Sequence, residues 1–370
     1  MSHRVLLTAD PKAGFLAHAH EIRAAIDRVL ASGHYILGPE VEAFEREFAR
    51  HHGGGHFVGV ANGTEALELA LRAVGVDHGD VVVTVANTVS ATVSAIEQIG
   101  AKPIFVEIEP DTMLMSVSAL ELALKRLQGQ VKAIVPVHLY GRPVDLPAVS
   151  ELAQRFGIKL VEDCAQSHGA TIDGRSVATW GDAAAYSFYP TKNLGALGDG
   201  GGVFTKDTGT ADRIRLLRQY GWTQRYVSEI PGRNSRLDEV QAAILRVKLQ
   251  HLNAENGIRR ILAKRYLQGL ADTPLRLPIE TPNVESVWHQ FAIRTPKRDA
   301  LREHLAASGI MCGVLYPTPV HRQPAYAVPT LSLPVTERAC AEVLCLPIHP
   351  AVTVEDVDRV CSEIVRWVSS

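Results

Sequence analysis

The chain has 370 residues, with 38 Lys and Arg against 40 Asp and Glu, a net charge of −2. That length exceeds what one hydrophobic core serves, so a larger domain over 1–250 and a smaller one over 251–370 are expected. No block of like charge tracks a phosphate backbone or an anionic bilayer, which argues against nucleic acid and membrane partners.

Five cysteines, Cys164, Cys312, Cys340, Cys345 and Cys361, are scattered without a C-x-x-C pair. Neither a disulfide framework nor a zinc site is expected from them. The start, MSHRVLLTADPK, lacks a sustained apolar stretch, and no apolar run approaches about 18 residues. The chain therefore reads as cytoplasmic.

Short apolar runs alternate with amphipathic stretches along the first half of the chain. HFVGV (56–60) precedes TEALELALRAV (64–74), VVVTV (81–85) precedes SATVSAIEQI (90–99), and PIFVEI (103–108) precedes VSALELALKRL (117–127). AIVPV (133–137) is followed by LPAVSELAQRF (146–156) and then KLVED (159–163). Alternating strands and helices, with several strands apolar on both faces, predict an α/β fold with a mostly parallel sheet covered by helices. Ligands then belong at the carboxyl ends of the strands. Residues 236–270 read as one long helix, and VWHQFAIRT (287–295), RDALREHLAASGI (298–310) and VEDVDRVCSEIVRWV (354–368) make a smaller α+β unit beyond it.

Chemistry concentrates around Lys192 in SFYPTKNLGALGDGG (187–201) and Asp163 at the end of KLVED. A Schiff-base amine and a carboxylate that keeps a pyridinium nitrogen charged are the two protein groups that pyridoxal phosphate requires. Taken alone, Lys192 suits a solvated loop residue and Asp163 suits a cap on the following turn. Gly195, Gly198, Gly200 and Gly201 suit a turn where backbone approaches a ligand. In ANGTEALELAL (61–71), Gly63 and Thr64 begin a helix just after a strand, where free N–H groups and the helix dipole favour an anion, although an ordinary cap reads the same way. Ser187, five residues before Lys192, offers a hydroxyl to the same phosphate. His138, His168, His289 and His321 show no H-x-x-x-H or HExxH spacing, so no metal is expected.

In this order the segments resemble the DegT/DnrJ/EryC1/StrS family of pyridoxal-phosphate-dependent sugar aminotransferases. The likeness runs from YILGPEVEAFEREFA (35–49) through ANGTEALELAL, EPDTM (109–113), VPVHLYGRPVD (135–145), VEDCAQSHGA (161–170) and SFYPTKNLGALGDGG to GRNSRLDEVQAAIL (232–245) and YPTPVHRQPAY (316–326). It implies a fold-type I, aspartate-aminotransferase-like architecture: a seven-stranded sheet in a large cofactor domain, plus a small C-terminal α+β domain.

For individual residues, the resemblance implies Lys192 as Schiff-base lysine and proton shuttle, Asp163 at the pyridine nitrogen, and Ser187 with Gly63 and Thr64 at the phosphate. Gln166 would lie against the cofactor ring, and Asn234 would reach the phosphate in a neighbouring subunit, making a homodimer with shared active sites. Tyr316, His321 and Arg236 match positions near the sugar-nucleotide cleft. Where many members carry an aromatic that stacks on the pyridine ring, this chain has Val89.

The implied reaction is a ping-pong transamination that passes through pyridoxamine phosphate. L-glutamate gives its amine and leaves as 2-oxoglutarate, and a nucleotide-linked keto sugar, most like a dTDP-3-keto-6-deoxyhexose, receives it. Three readings stand beside this one: amination of a UDP-4-keto sugar, amination of a cyclitol, and a sensor that binds the cofactor without turnover. Dehydratase relatives carry histidine at the lysine position, so Lys192 argues against that branch.

Overall fold

A computed structural model describes residues 4–369; the first three residues of the MSHRVLLTADPK segment, and Ser370, lie outside them. Seven strands form the central sheet: β1 (His56–Val60), β2 (Val81–Val85), β3 (Lys102–Val106), β4 (Val131–Ile134), β5 (Lys159–Asp163), β6 (Ala183–Ser187) and β7 (Gly201–Thr205). Their order is β1, β7, β6, β5, β4, β2, β3, and β7 alone runs against the rest. The expected mostly parallel sheet is therefore present. Its strands read as continuous apolar runs because helices cover both faces.

Local chemistry sets the helix starts. Asn62, Asp145 and Asp207 each accept a hydrogen bond from the backbone N–H three residues on, at 2.9, 3.2 and 2.7 Å. Each satisfies one of the orphan donors of a first turn. Helix Val354–Val368 starts with a reciprocal capping box between Thr353 and Asp356.

Helices Gly63–Ala73 and Thr208–Leu217 pack one apolar layer against the sheet, with Leu69, Leu71, Val82, Val161 and Ile214 inside it. Helices Val117–Leu127 and Leu146–Phe156 close a second layer around Val83, Ile134 and Leu160. An aromatic cluster, Phe44, Phe48, Phe57, Tyr186, Phe188 and Phe204, joins helix Pro39–His51 to the sheet by largely edge-to-face contacts. Such pairs contribute about 0.5–1.5 kcal/mol each beyond their area burial.

The long helix runs unbroken over Glu239–Gly269. The buried Glu239 carboxylate accepts the N–H groups of Gly38, Glu40 and Val41 at 2.8–2.9 Å, fixing the start of helix Pro39–His51 against it. Farther along, Leu262, Ala263 and Tyr266 enter a separate core with the antiparallel pair Phe291–Arg294 and Val343–Leu346 and with helices Arg298–Ala307 and Val354–Val368. No helix among the described residues is long and apolar enough to cross a membrane.

Candidate active site

Six of the seven sheet strands point the same way, so their carboxyl ends share one edge, and the turns leaving β1, β2, β5 and β6 converge there. They enclose a recess of about 400 Å³ lined by Gly63, Thr64, Val89, Thr92, Asp163, Ser187, Lys192 and Tyr316 among others. Seven of the residues read from the sequence as site candidates therefore meet in one place.

The anion end of the recess is built from contacts that only glycine permits. A methyl group on Gly63 would sit 2.5 Å from Ser187 Cβ, and one on Gly201 would sit 2.3 Å from the Asn62 carbonyl. Helix Gly63–Ala73 therefore begins flush against the end of β6. Asn62 caps the N–H of Glu65, which leaves the first-turn N–H groups of Gly63 and Thr64 beside the Ser187 hydroxyl. Free backbone donors, a helix dipole and a hydroxyl together fit a phosphate group.

At the other end stands Asp163. Its Oδ2 accepts from the Thr92 hydroxyl at 2.9 Å, its Oδ1 from the Ala165 N–H at 3.1 Å. Thr92, having donated, accepts from Thr88 at 2.8 Å. Burial pushes the Asp163 carboxyl upward, while the two hydrogen bonds and the Lys192 ammonium oppose that shift. Lys192 is pushed down to about 8 by burial, with Asp163 pulling the other way. An amine that loses its proton near neutrality and a carboxylate that holds two donors are the pair a Schiff-base cofactor with a protonated ring nitrogen requires. The residues of the recess thus fit pyridoxal phosphate at both ends.

A supporting layer holds Lys192 in place. The neighbouring Asn193 donates to Asn256 Oδ1 and the Val287 carbonyl, at 2.9 and 2.8 Å, and its Oδ1 accepts from His289 Nδ1 at 3.1 Å. Asn256 in turn donates to the His168 carbonyl at 2.9 Å. The histidines at 168 and 289 are fully buried and driven toward the neutral form, His168 to about 3.

Gln166 lies one layer behind the recess: its Oε1 accepts the Tyr140 N–H at 2.7 Å and its Nε2 donates to the Tyr316 hydroxyl at 3.2 Å. Burial and Asp163 push the Tyr316 phenol up to about 12, so it stays protonated. Val89 stands at the lip, 36% exposed, where it also borders an adjoining hollow of about 330 Å³ lined by Thr88, Ser90 and Gln323.

Besides Gln166, the structure does not bring three of the sequence candidates to the recess. Asn234 is exposed, Arg236 is partly buried, and neither lines it. His321 is fully buried and pairs through Nε2 with Glu337 at 3.0 Å. The glycine-rich run also differs from expectation. Gly195 presses on the Pro190 carbonyl, Gly198 on Gln241, and Gly200 on Leu237 and Phe188. These glycines let the chain fold onto itself rather than onto a ligand.

Sequence reasoning passed over Thr92, Asp199 and Gln290, which line the recess, and Asn193, which supports it. A hydroxyl four residues after Thr88 at a helix start was the one available signal for Thr92.

Comparison with known proteins agrees with this geometry. Residues 17–365 match the model of the DegT/DnrJ/EryC1/StrS aminotransferase family. A dTDP-3-amino-3,4,6-trideoxy-alpha-D-glucose transaminase from Micromonospora megalomicea subsp. nigra is 50% identical over 357 residues, 94% of each chain. The erythromycin biosynthesis sensory transduction protein EryC1 of Saccharopolyspora erythraea is 47% identical over 359 residues, 96% of this chain and 97% of that protein. The crystal structure of S. venezuelae DesV in complex with a ketimine intermediate superposes with a TM-score of 0.96 at 45% identity, covering all of both chains. With Lys192, Asp163 and the Gly63–Ser187 cradle on one recess and similarity to these proteins along nearly the whole chain, the chain belongs to the DegT/DnrJ/EryC1/StrS family of pyridoxal-phosphate-dependent aminotransferases.

Proposed function

We propose that this enzyme moves the amino group of L-glutamate to C3 of a dTDP-linked 3-keto-6-deoxyhexose. The observation that carries the reading is the convergence of Lys192, Asp163 and the Gly63–Ser187 cradle on one recess. Half identity with a transaminase named for a dTDP-3-amino sugar supports the substrate class.

Bound in the recess, pyridoxal phosphate supplies an electron sink for the electrons released when the donor's Cα–H bond breaks. Ser187 Oγ and the N–H groups of Gly63 and Thr64 would hold its phosphate. The Asp163 carboxylate, steadied by Thr92 and Ala165, would accept the ring N–H. With the cofactor bound, Lys192 Nζ, neutral above about pH 8, would take the donor's Cα proton and return it to the cofactor carbon on the far side of the transferred nitrogen. Tyr316 would flank the ring, with Gln166 hydrogen-bonded to it from behind.

Asn234 lies exposed and off its own recess, which accords with service in a partner's site and hence a homodimer with shared active sites. In that arrangement Arg236 reaches the sugar nucleotide from the same segment. His321, held by Glu337, backs the loop that carries Tyr316 instead of touching substrate. The reading takes residues 1–250 as the cofactor domain, 251–370 as the small domain, and the cytoplasm as the location.

EryC1's name keeps a sensory reading in view, and since any chain that captures the cofactor through Lys192 needs the neutral amine, that residue does not distinguish the two. One experiment separates the two. On adding L-glutamate alone to the loaded protein, the visible absorption band should give way to a near-ultraviolet one, and a dTDP-3-keto-6-deoxyhexose should then restore it. A band that glutamate leaves unchanged sinks the reading. Restoration by UDP-4-keto sugars or cyclitol ketones instead reassigns the substrate.

A further inference from the structure

We propose that the chain carries a site for one monovalent anion that accepts N–H hydrogen bonds, a halide or a carboxylate, held by Lys248 and Arg259 beside Lys192. The site adjoins the cofactor recess without being part of it. Its existence does not rest on the transaminase reading; only the choice between the two sources of the anion does.

The long helix sets the arrangement. Lys248, Glu255 and Arg259 recur at spacings of seven and four residues, so they share one stripe of helix Glu239–Gly269. Lys248 and Arg259 on that stripe are only 8% and 6% exposed. Together with Asp10, Lys192 and His349, the three residues line a hollow of about 180 Å³. Thr191 and Lys192 line both this hollow and the cofactor recess, so the lysine loop is a wall common to the two.

Lysine and arginine side chains are rarely buried to this degree without a carboxylate against them. Among the described residues neither Lys248 nor Arg259 has a carboxylate oxygen within ion-pair distance. The two acidic residues of the hollow are engaged elsewhere: Glu255 Oε1 lies 2.9 Å from His18 Nε2, and Asp10 Oδ1 accepts the Ala13 N–H at 2.9 Å. Lys248 Nζ donates to the Gly195 carbonyl at 2.5 Å, and Arg259 Nη1 donates to the carbonyls of Ile348 and Trp288 at 2.6 and 3.5 Å. An ammonium carries three N–H bonds and a guanidinium five, so most of these donors are left without a protein acceptor.

Charge and size select the occupant. Burial pushes Lys248 down and Arg259 down to about 10, with Glu255 opposing both shifts, so each cation gains from a further negative charge beside it. His349 is buried and pushed down to about 4 by that burial, so it adds no charge near neutrality. Three basic side chains against two acidic ones leave one positive charge in the hollow when Lys192 is an ammonium. A monovalent anion cancels that charge, a dianion overshoots it, and a cation adds to it. The volume holds a halide or a carboxylate group with a few waters and is too small for a nucleotide. No motif announces the site, because Asp10, Lys192, Lys248 and His349 come together from four distant segments.

The test soaks crystals of the cofactor-loaded enzyme in bromide and measures them at the bromine absorption edge. One anomalous peak should lie within hydrogen-bonding reach of both Lys248 Nζ and the Arg259 guanidinium; no peak there overturns the site. A second soak adds glutarate, a dicarboxylate with the amino donor's carbon chain and no amine. Loss of the peak assigns the site to a donor carboxylate, and its retention assigns it to a free halide. In solution, broadening of the chloride magnetic-resonance line by the loaded enzyme should saturate, and K248M and R259M should each weaken binding about tenfold or more. K132M, which removes an exposed cation on β4, should bind like the parent. Chloride binding equal to the parent in both K248M and R259M overturns the site, and should either variant fail to fold, the bromide peak in the parent decides. Failure of the transaminase reading would leave that peak in place, so the two failures are told apart.

Discussion

Two carboxylates at successive positions on β5 face opposite sides of the strand and have opposite fates. Glu162 is fully buried and accepts four donors, the N–H groups of Ala178, Trp180 and Gly181 at 2.8–3.1 Å and His138 Nε2 at 3.2 Å. Asp163 accepts two, from Thr92 and Ala165, and opens on the recess. The His138 tautomer follows from its Nδ1 accepting the Val144 N–H, so that Nε2 donates to Glu162. A buried carboxylate saturated by its own chain is structural, while one with acceptor capacity to spare is available to a ligand.

The largest effect that sharpens this contrast is at the recess. Lys192→Ala should abolish transamination, a loss of about 10⁴-fold or more, with the fold retained by circular dichroism. Asp163→Asn should cost about 100- to 1000-fold in kcat with little change in unfolding midpoint. Glu162→Gln should do the reverse, lowering the unfolding free energy by about 3 kcal/mol while folded enzyme keeps its rate. Equal losses of rate in both carboxylate variants would erase the distinction drawn between the two faces.

The next effect is one of pH. Only the neutral amine captures cofactor, and the ammonium form of Lys192 is disfavoured by burial until its proton leaves at about 8. The rate at which apoprotein develops visible absorbance with pyridoxal phosphate should therefore rise with pH and reach half its maximum near pH 8. Asp163 favours the ammonium form, so Asp163→Asn should move that midpoint lower. An unmoved midpoint would mean that the two groups do not interact.

Smaller still is Thr92→Val, which removes one of the two donors to Asp163 and should lower kcat about tenfold. Val89→Phe comes last. An aromatic at the lip should tighten cofactor retention about 2- to 10-fold, measured as the dissociation rate of the visible chromophore. It should also narrow the passage to the adjoining hollow, seen as a raised KM for the sugar nucleotide.

Much of this was legible in the residues. β1 to β5 and the helices after them followed from alternation, because strands covered on both faces are apolar throughout. Lys192, Asp163, Gly63 and Ser187 were readable because strand ends and helix starts have defined chemistry at that edge. β7 was not: Gly201 and Gly202 offer no side chains to pack, and the strand exists through pairing with β1 and β6. The two fates of Glu162 and Asp163 were equally hidden, since the donors that saturate Glu162 arrive from residues 178–181 and from His138.

The reversed strand also sets a timetable for synthesis. Among the described residues β1 has no neighbour in the sheet except β7, so residues 56–60 leave the ribosome with both edges unpaired and stay so until residue 205 has emerged. Contacts of that sequence separation form late and slowly, and an unpaired apolar edge invites association with other chains in the meantime. The cradle between Gly63, Ser187 and Gly201 is completed by the same event. A nascent chain shorter than about 205 residues therefore lacks the assembled cradle, and its completion marks the closing of the sheet.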